Sequence, residues 1–266
     1  MKKKVLIIGL DGARADATRI ASTPHIDSLI DHGCVSWNAQ TEMRTVSGPA
    51  WTSLLTGCHT KKHGVDGNSK MDKKRRVPTI FKLLKDWNPD IKLVAHSHWK
   101  PIITQIIERD VLNSYSAGSD KKMAKNMARD INAGNGDVYF VQLDEIDAAG
   151  HMYGYSVESK RYIKKIQRND KLVGTMVSAI ENRPFDEEWL VCLVSDHGGN
   201  GKSHGGLSLG ELTIIFMLSG NAISQKGEIP DNVETSPRIV DVVPSIAKFI
   251  GMPPRDNWDG KPRCMD

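Results

Sequence analysis

Apolar runs of strand length alternate with helical sequence along this chain, and three of these runs are followed almost at once by an aspartate. The runs cover residues 5–10, 92–95, 138–143, 190–194 and 212–218. Helical candidates lie at about 49–56, 78–87, 119–132, 156–182 and 237–250. An unbroken apolar run between polar residues is typical of a parallel strand that is buried on both faces. The alternation predicts an α/β fold, with a mostly parallel central sheet and helices on both faces.

The first strand and helix can be assigned in more detail. The strand Val5–Leu10 runs directly into Asp11. Thr23 and Pro24 suit the cap and first turn of the following helix, and Gly33 suits its C-terminal stop. The apolar face of this helix is expected to consist of Ile26, Leu29 and Ile30. The segment therefore predicts a βα unit.

Length and composition limit the broad class of protein. A chain of 266 residues is within the usual size of one α/β domain, so we expect a single catalytic domain over residues 1–266. Hydrophobic residues make up 39% and charged residues 26%, which excludes a disordered chain. The net charge of +4 allows anionic substrates but predicts no stable nucleic-acid partner. Composition predicts nothing about oligomeric state.

No segment has the pattern of a signal peptide or a membrane helix. The early apolar run Val5–Leu10 is shorter than the roughly 7–15 apolar residues of a signal sequence and the roughly 20 of a membrane helix. We therefore expect a soluble, cytoplasmic protein with no membrane partner.

The cysteines are scattered, with no C-x-x-C pair. They stand at Cys34, Cys58, Cys192 and Cys264. This spacing favours neither a disulfide framework nor a thiolate zinc site. We therefore expect reduced, structural thiols.

Acidic and imidazole side chains follow several of the predicted strands. Ligands of open α/β sheets bind beyond the carboxyl ends of the strands. Zn²⁺ favours His nitrogen together with carboxylate oxygen, although a single Asp or His in such a place is more often a hydrogen-bonded loop residue. The residues in question are Asp11, Asp144, Asp147, Asp196 and His197.

Two short motifs strengthen the metal interpretation. In Asp147-Ala-Ala-Gly-His151, the i, i+4 spacing lets both side chains face one point if the segment is helical. In Ser195-Asp196-His197-Gly198-Gly199, adjacent ligands on a glycine-rich turn can diverge towards different partners. His204 follows a few residues later. The joint placement of these residues predicts a metal centre.

The segment from Ser47 to Gly57, Ser-Gly-Pro-Ala-Trp-Thr-Ser-Leu-Leu-Thr-Gly, supplies a candidate nucleophile. Pro49 suits the first turn of a helix, which places Ser47 beside the helix N-terminus. Exposed N–H groups and the helix dipole stabilise negative charge at such a position. The alternative is that Ser47 is simply an N-cap.

In this order, the motifs resemble the alkaline phosphatase superfamily, and within it the type I phosphodiesterase/nucleotide pyrophosphatase branch. The resemblance spans nearly the whole chain. It is supported by further stretches at residues 23–29, 63–68, 239–246 and 258–262. It implies a three-layer alkaline phosphatase-like sandwich. The short interval between His197 and His204 implies that a large substrate cap is missing.

The resemblance also implies a site with two divalent ions, with Zn²⁺ as the expected metal and Mn²⁺ and Mg²⁺ as alternatives. The ligands of the ion nearest the nucleophile correspond to Asp11, Asp196 and His197. The ligands of the second ion correspond to Asp147, His151 and His204.

The catalytic residues are implied in the same way. Ser47 matches the nucleophile that also contacts the first ion, and its attack would form a covalent phosphoserine. Asn68 resembles the asparagine that donates to a phosphoryl oxygen, together with backbone N–H groups near Ser47.

The chain also departs from the family pattern. The branch usually has a Pro-Asn pair after the nucleophile, whereas here Pro49 is followed by Ala50 and Trp51. Trp51 is expected to be a core residue, with a substrate-facing aromatic as the alternative. A sulfatase would need arginine at the position of Trp51, so sulfate-ester hydrolysis is not expected.

Three function hypotheses remain at this point. The first is a metal-dependent phosphodiesterase or nucleotide pyrophosphatase that acts on a small phosphodiester or nucleotide. The alternatives are a phosphomonoesterase of the same superfamily and a non-catalytic nucleotide- or metal-binding relative. The roles of three further residues stay open: Lys202 as a phosphate contact, Asp144 as a support for a metal ligand, and Arg14 as a substrate contact or an ion-pair partner.

Overall fold

The protein is built around one mixed sheet. The computed structural model describes residues 1–232 and 235–266. Within them the strands are β1 (Lys2–Leu10), β2 (Gly33–Gln40), β3 (Leu93–Ser97), β4 (Ser114–Ala117), β5 (Val138–Leu143), β6 (Glu187–Val194), β7 (Thr213–Ser219) and β8 (Gly227–Glu228). They form an eight-stranded sheet in the order β4-β3-β5-β1-β6-β7-β2-β8.

Helices connect most of these strands. The α-helices of the described residues are α1 (Ala15–Ile20), α2 (Pro24–Ile30), α3 (Ser47–Thr56), α4 (Thr60–His63), α5 (Met71–Lys74), α6 (Ile80–Trp87), α7 (Asp120–Ala133), α8 (Glu145–Tyr153), α9 (Lys160–Glu181), α10 (Leu209–Leu212) and α11 (Val242–Ile250). Shorter helical turns cover Ile102–Ile106, Arg109–Val111 and Ile239–Asp241. In the described part of the chain, no helix has both the length and the apolar character needed to cross a bilayer.

The sheet is mostly parallel. Strand β1 lies at its centre and pairs in parallel with both β5 and β6. Strand β3 also pairs in parallel with β4 and β5, and β2 with β8. Only β7 runs antiparallel to its neighbours, β6 and β2, within the described residues. The predicted fold class is confirmed. Each of the five predicted apolar runs overlaps a strand, although Lys92 precedes β3 and Leu212 ends α10 instead of starting β7.

Both faces of the sheet are covered. Side chains on a strand point alternately to opposite faces. In β1, Val5 and Ile7 pack in one core with residues of α3, α6 and α11. Leu6 and Ile8 pack in a second core with residues of α2, α7 and α9. Because β1 is apolar on both faces, it can occupy only a central position of this kind.

The sequence assigned the wrong role to Gly33. Helix α2 ends at Ile30, with Asp31 as its C-cap, and Gly33 is instead the first residue of β2. A Cβ atom added there would lie 2.1 Å from the carbonyl oxygen of Leu218 in β7. Gly33 is therefore explained by the close approach of two strands rather than by a helix end.

The expectation of four reduced thiols is wrong for one pair. Cys34 in β2 forms a disulfide with Cys264 near the C-terminus, across a sequence separation of 230 residues. Cys58 and Cys192 are free and buried, as expected. Local cysteine spacing could not predict this bond, because the fold alone brings the C-terminal segment back to β2.

Candidate metal centre and active site

Three aspartates meet at the carboxyl ends of the central strands. Asp11 directly follows β1, and Asp196 follows β6 after one intervening residue. Asp147 lies in the first turn of α8, the helix that follows β5. Because β5, β1 and β6 are parallel neighbours, the segments that follow them lie side by side. This is the edge of an α/β sheet at which ligands usually bind.

The first cluster consists of Asp11, Asp196 and His197. Their donor atoms all lie within 4.8 Å of one another, and all three residues are buried. His197 Nε2 is 3.3 Å from Asp196 Oδ2 and 3.7 Å from Asp11 Oδ1. Both Asp11 Oδ1 and Asp196 Oδ2 are buried without a hydrogen-bond partner. Two unpartnered carboxylate oxygens that face one imidazole nitrogen form a donor set suited to a divalent cation.

The second cluster is the set that the resemblance implied, Asp147, His151 and His204. Two of its members, Asp147 and His204, also form a group with His197 in which all donor atoms lie within 4.8 Å of one another. His151 Nε2 is 3.2 Å from Asp147 Oδ2, which the i, i+4 spacing on α8 predicts. His204 Nε2 is 3.8 Å from Asp147 Oδ1. The rings of His197 and His204 are stacked, with centroids 3.9 Å apart, so the two clusters adjoin. All six residues that the resemblance implied as metal ligands therefore lie at one place.

Backbone carbonyl groups fix the tautomer of the three histidines. The Nδ1 atom of His197 lies 2.8 Å from the carbonyl oxygen of Gly198, and that of His204 lies 2.7 Å from the carbonyl oxygen of Thr45. The Nδ1 atom of His151 lies 3.0 Å from the carbonyl oxygen of Lys202. A carbonyl oxygen only accepts, so each Nδ1 carries the proton. In the neutral ring, the Nε2 lone pair then faces the carboxylates, as in metal-binding histidines.

The buried carboxyl groups of the site would be stabilised by a cation. Burial raises the pKa of Asp11 well above its ordinary value, and the nearby Asp196 carboxylate raises it further. Burial also raises the pKa of Asp196 and lowers the pKa of His197. Buried carboxylates without a counter-ion are costly in free energy. A divalent cation would offset this cost, and the residues present fit one.

Ser47 lies beside the first cluster. It is the first residue of α3, and Val46, not Ser47, occupies the N-cap position. The alternative that Ser47 is an N-cap is therefore wrong. Its Oγ lies 3.2 Å from His197 Nε2 instead. The hydroxyl thus shares the space into which Asp11 Oδ1 and Asp196 Oδ2 point.

Asn68 is anchored to the nucleophile segment. Its Oδ1 accepts a hydrogen bond of 2.7 Å from the Gly48 N–H group, which leaves the exposed Nδ2 as a donor. The Gly48 N–H is consequently engaged and is not one of the backbone N–H groups near Ser47 that can donate to a substrate. A Cβ atom at Gly48 would lie 2.6 Å from the Gly67 carbonyl oxygen. Glycine is required at position 48 because any side chain there would prevent the loop that carries Gly67 and Asn68 from packing against the start of α3.

Trp51 is a buried residue, so the substrate-facing alternative is wrong. Its indole Nε1 donates to Asp11 Oδ2 over 2.9 Å.

Gln142 in β5 donates to the same oxygen of Asp11. Its Nε2 lies 2.9 Å from Asp11 Oδ2 and 2.9 Å from Asp144 Oδ1, and it donates to both. Asp144 is therefore joined to the metal cluster through Gln142.

Sequence reasoning missed Gln142 and Tyr155. The Tyr155 hydroxyl donates to Asp147 Oδ1 through a short hydrogen bond. A signal for Gln142 did exist, because it is the one polar amide in the otherwise apolar and aromatic strand β5. No sequence pattern distinguished Tyr155.

Two residues left open by the sequence have structural contacts. Arg14 forms an ion pair of 2.6 Å with Asp16 and donates to the backbone carbonyl groups of Tyr155 and Gly199. It therefore holds together the loops that flank the second cluster. The side chain of Lys202 is exposed, while its backbone carbonyl is the one that meets His151.

A third group of acidic and imidazole side chains, at His98, Asp120 and Glu145, has a different explanation. Asp120 Oδ1 accepts hydrogen bonds from His98 Nδ1 and from the N–H of Asp144. Asp120 Oδ2 accepts from the N–H of Glu145. Asp120 thus caps the start of α8 with both oxygens in use, which fits a structural role.

The comparisons with known proteins agree with this geometry. The family model described as type I phosphodiesterase/nucleotide pyrophosphatase matches residues 5–118 and 81–204. The chain belongs to the type I phosphodiesterase/nucleotide pyrophosphatase family. The resemblance inferred from its motifs is thereby confirmed.

One curated relative of this phosphodiesterase-family chain is bis(5'-adenosyl)-triphosphatase ENPP4 from Homo sapiens. It is 28% identical over 218 residues, which cover 73% of this chain and 47% of the relative. The chain thus spans about half the length of the curated relatives it matches.

Solved structures show the same fold. Murine ectonucleotide pyrophosphatase/phosphodiesterase 5 in complex with AMP superposes with a TM-score of 0.78 at 13% identity, covering 96% of this chain and 97% of that one. The lipoteichoic acid synthase LtaP from Listeria monocytogenes superposes with a TM-score of 0.73 at 15% identity, covering 98% and 75%.

Proposed function

We propose that this protein is a metal-dependent hydrolase of phosphodiester or nucleotide pyrophosphate bonds, with a two-zinc site and a phosphoserine intermediate on Ser47. The observation that carries the proposal is the position of Ser47 Oγ, 3.2 Å from His197 Nε2 and beside two unpartnered carboxylate oxygens. A hydroxyl in such a place is activated as a nucleophile when a cation fills the cluster.

The residues that would hold the two ions are the two clusters described above. Asp11, Asp196 and His197 would hold the ion next to Ser47. Asp147, His151 and His204 would hold the second, as the family resemblance implies and as the distances from both histidines to Asp147 allow. When bound, such ions lower the pKa of the attacking oxygen and neutralise charge on the phosphoryl group. The mixed nitrogen and oxygen donors favour Zn²⁺ over the purely oxygen-seeking Mg²⁺.

The protein's own groups supply the remaining steps. Ser47 Oγ loses its proton to solvent and attacks phosphorus, and the bond from phosphorus to the leaving oxygen breaks, with that oxygen taking up a proton from water. The resulting phosphoserine still carries the second ester group of the substrate. Water then hydrolyses the bond between Ser47 Oγ and phosphorus, which restores the serine and releases a phosphomonoester. Asn68 Nδ2 is free to donate to a phosphoryl oxygen, because Asn68 Oδ1 is held by Gly48. Such a prepositioned donor stabilises the charge of the transition state.

Family membership supports a phosphodiester or pyrophosphate as the substrate. The printed name of the human relative, a bis(5'-adenosyl)-triphosphatase, supports a nucleotide with a polyphosphate linkage. We therefore propose small nucleotides as the substrate class.

The test is hydrolysis of bis(p-nitrophenyl) phosphate and of bis(5'-adenosyl) triphosphate by chelated protein that has been reloaded with Zn²⁺. We expect turnover by the wild type and a loss of several orders of magnitude in kcat for Ser47→Ala and Asp147→Ala. Ser28→Ala and Asp90→Ala are the matched controls, and they should retain activity because both side chains are exposed and belong to neither cluster.

Other outcomes would replace the proposal. The monoester p-nitrophenyl phosphate is the third substrate. Turnover of this monoester but of neither of the other two substrates would make the protein a phosphomonoesterase. Binding of two Zn²⁺ ions without turnover of any of these substrates would make it a binding protein. Turnover that survives Ser47→Ala would exclude the phosphoserine intermediate.

A further inference from the structure

Each aspartate of the two clusters has one oxygen held by the protein. Asp11 Oδ2 accepts from Trp51 Nε1 and from Gln142 Nε2, both over 2.9 Å. Its other oxygen, Oδ1, is buried and has no partner. Asp11 Oδ2 therefore accepts two hydrogen bonds, and Asp11 Oδ1 is left to bind a cation in the cluster.

Asp196 repeats this pattern, and Asp147 does so in part. Asp196 Oδ1 accepts from the N–H groups of Gly12 and His197, over 3.1 and 2.9 Å, while its Oδ2 has no partner. Asp147 Oδ1 accepts from the Tyr155 hydroxyl, while its Oδ2 faces His151 Nε2 at 3.2 Å. Asp196 thus leaves one oxygen for the cluster, whereas both oxygens of Asp147 face a histidine, because its Oδ1 also lies 3.8 Å from His204 Nε2.

The two aromatic donors occupy spaces that glycines create. A Cβ atom at Gly9 would lie 2.3 Å from the indole of Trp51. Cβ atoms at Gly150 and Gly199 would lie 2.2 and 2.3 Å from the ring of Tyr155. Both aromatic rings are fully buried. Gly150 and Gly199, which belong to the sequence motifs around His151 and His197, are therefore explained by the ring of Tyr155.

The amide of Gln142 has a fixed orientation. Its Oε1 accepts from Ser97 Oγ over 2.9 Å and from the Trp99 N–H over 2.8 Å. The Nε2 end must therefore face Asp11, where it can only donate. Gln142 cannot rotate to release Asp11 Oδ2 without losing both of these bonds.

We propose that Trp51 and Gln142 are positioning residues that limit Asp11 to one free oxygen, that Tyr155 is a positioning residue that takes up part of the hydrogen-bonding capacity of Asp147 Oδ1, and that these contacts select Zn²⁺ over Ca²⁺. The inference rests on the proposed two-metal function. Zn²⁺ takes about four ligands, each a single atom, in structural sites. Ca²⁺ takes about 6–8 oxygens and often both oxygens of a carboxylate. A carboxylate with one oxygen already bonded suits the first ion and disfavours the second.

The test compares Zn²⁺ and Ca²⁺ affinities of chelated protein by competition with a chromophoric chelator. Trp51→Phe and Tyr155→Phe each remove one donor but keep an aromatic ring. We expect each variant to lose about 10- to 100-fold in Zn²⁺ affinity, with Ca²⁺ affinity unchanged or increased. Gln142→Met removes the second donor to Asp11 and should have the same direction of effect.

Matched controls exist elsewhere in the sheet. Trp189 Nε1 donates to the Glu187 carboxylate over 3.1 Å, at the end of β6 away from Asp196. Tyr139 lies in β5 and its hydroxyl accepts from the Gly136 N–H. Trp189→Phe and Tyr139→Phe therefore remove comparable polar groups without touching a metal cluster, and both should keep the Zn²⁺ to Ca²⁺ affinity ratio of the wild type.

A second readout separates positioning from general destabilisation. The visible absorption of the Co²⁺-substituted protein reports coordination number, and it should change in Trp51→Phe and Tyr155→Phe but not in the controls. Equal losses of Zn²⁺ and Ca²⁺ affinity, or an unchanged ratio in folded variants, would overturn the inference. Because binding is measured without turnover, a wild type that binds Zn²⁺ selectively yet hydrolyses nothing would refute the proposed function alone.

Discussion

The ring of Tyr155 lies against the backbone of Gly150, so closely that a Cβ atom at Gly150 would come within 2.2 Å of Tyr155 Cε1. Gly150 is in the middle of α8, between the metal-cluster residues Asp147 and His151. Glycine is normally unfavourable in a helix interior. The contact with Tyr155 explains why it stands there, because no larger residue leaves room for the ring.

Gly150→Ala should therefore destabilise the protein, although alanine is the better helix former by about 1 kcal/mol. Forcing a methyl group into a packed site typically costs about 1–3 kcal/mol, so the net sign should reverse. Urea unfolding measures the change. Gly67→Ala is the control, because a Cβ atom there meets nothing within 4 Å. A Gly150→Ala variant as stable as the wild type would show that Tyr155 can move aside.

Asn68 allows its two polar ends to be tested separately. Asn68→Asp keeps an acceptor for the Gly48 N–H but loses the Nδ2 donor, while Asn68→Ala loses both. If Nδ2 stabilises the phosphoryl oxygen, both variants should lose about 100- to 1,000-fold in kcat for the diester. Zn²⁺ affinity should stay unchanged, since Asn68 belongs to neither cluster. Full activity of Asn68→Asp would assign the role to the acceptor end instead.

His63 should make stability depend on pH. It is buried: its Nδ1 accepts from the Val65 N–H, and its Nε2 lies 2.9 Å from Ser53 Oγ. Burial lowers the pKa of His63 to about 4, compared with an ordinary value of 6.5. His63 in the unfolded chain therefore binds a proton below about pH 6.5, whereas His63 in the folded chain binds one only below about pH 4. Stability from this residue is complete above pH 6.5 and is lost as the pH falls through that window.

The expected loss is about 1.4 kcal/mol per pH unit at most, and roughly 3 kcal/mol in all. Free energies of unfolding at pH 7 and pH 5 measure it for the wild type and for His63→Gln. The variant is expected to be less stable at pH 7 but to have a shallower dependence on pH. Parallel pH profiles of the two proteins would mean that His63 takes up its proton at the same pH in the folded and the unfolded chain.

The disulfide between Cys34 and Cys264 should make stability sensitive to reductant. A bond that closes so long a loop typically contributes about 2–4 kcal/mol. Thermal unfolding with and without dithiothreitol should show a lower Tm for the reduced wild type. The double variant Cys34→Ser/Cys264→Ser should have a low Tm that no longer responds to reductant. A response that persists in this variant would have to come from another group.

Much of the fold and of the metal centre could be predicted from the sequence. The apolar runs of β1, β5 and β6 require burial on both faces, and this places them in a parallel sheet. Residues that directly follow such strands share one edge, so Asp11 and Asp196 had to approach each other. The i, i+4 spacing of Asp147 and His151 requires only a helical turn. Strands β2 and β4 were missed because polar residues interrupt them.

The tertiary structure decided which groups hold those ligands in place. Trp51 is 40 residues from Asp11 in the chain, and Gln142 is 131 residues from it. The disulfide joins cysteines 230 residues apart. The period of a helix or strand relates only near neighbours in the chain, so it predicts which face a residue occupies but not which distant residue meets it there. Those partners are settled by packing, because a buried donor or carboxylate must find its hydrogen bonds wherever the folded chain brings them.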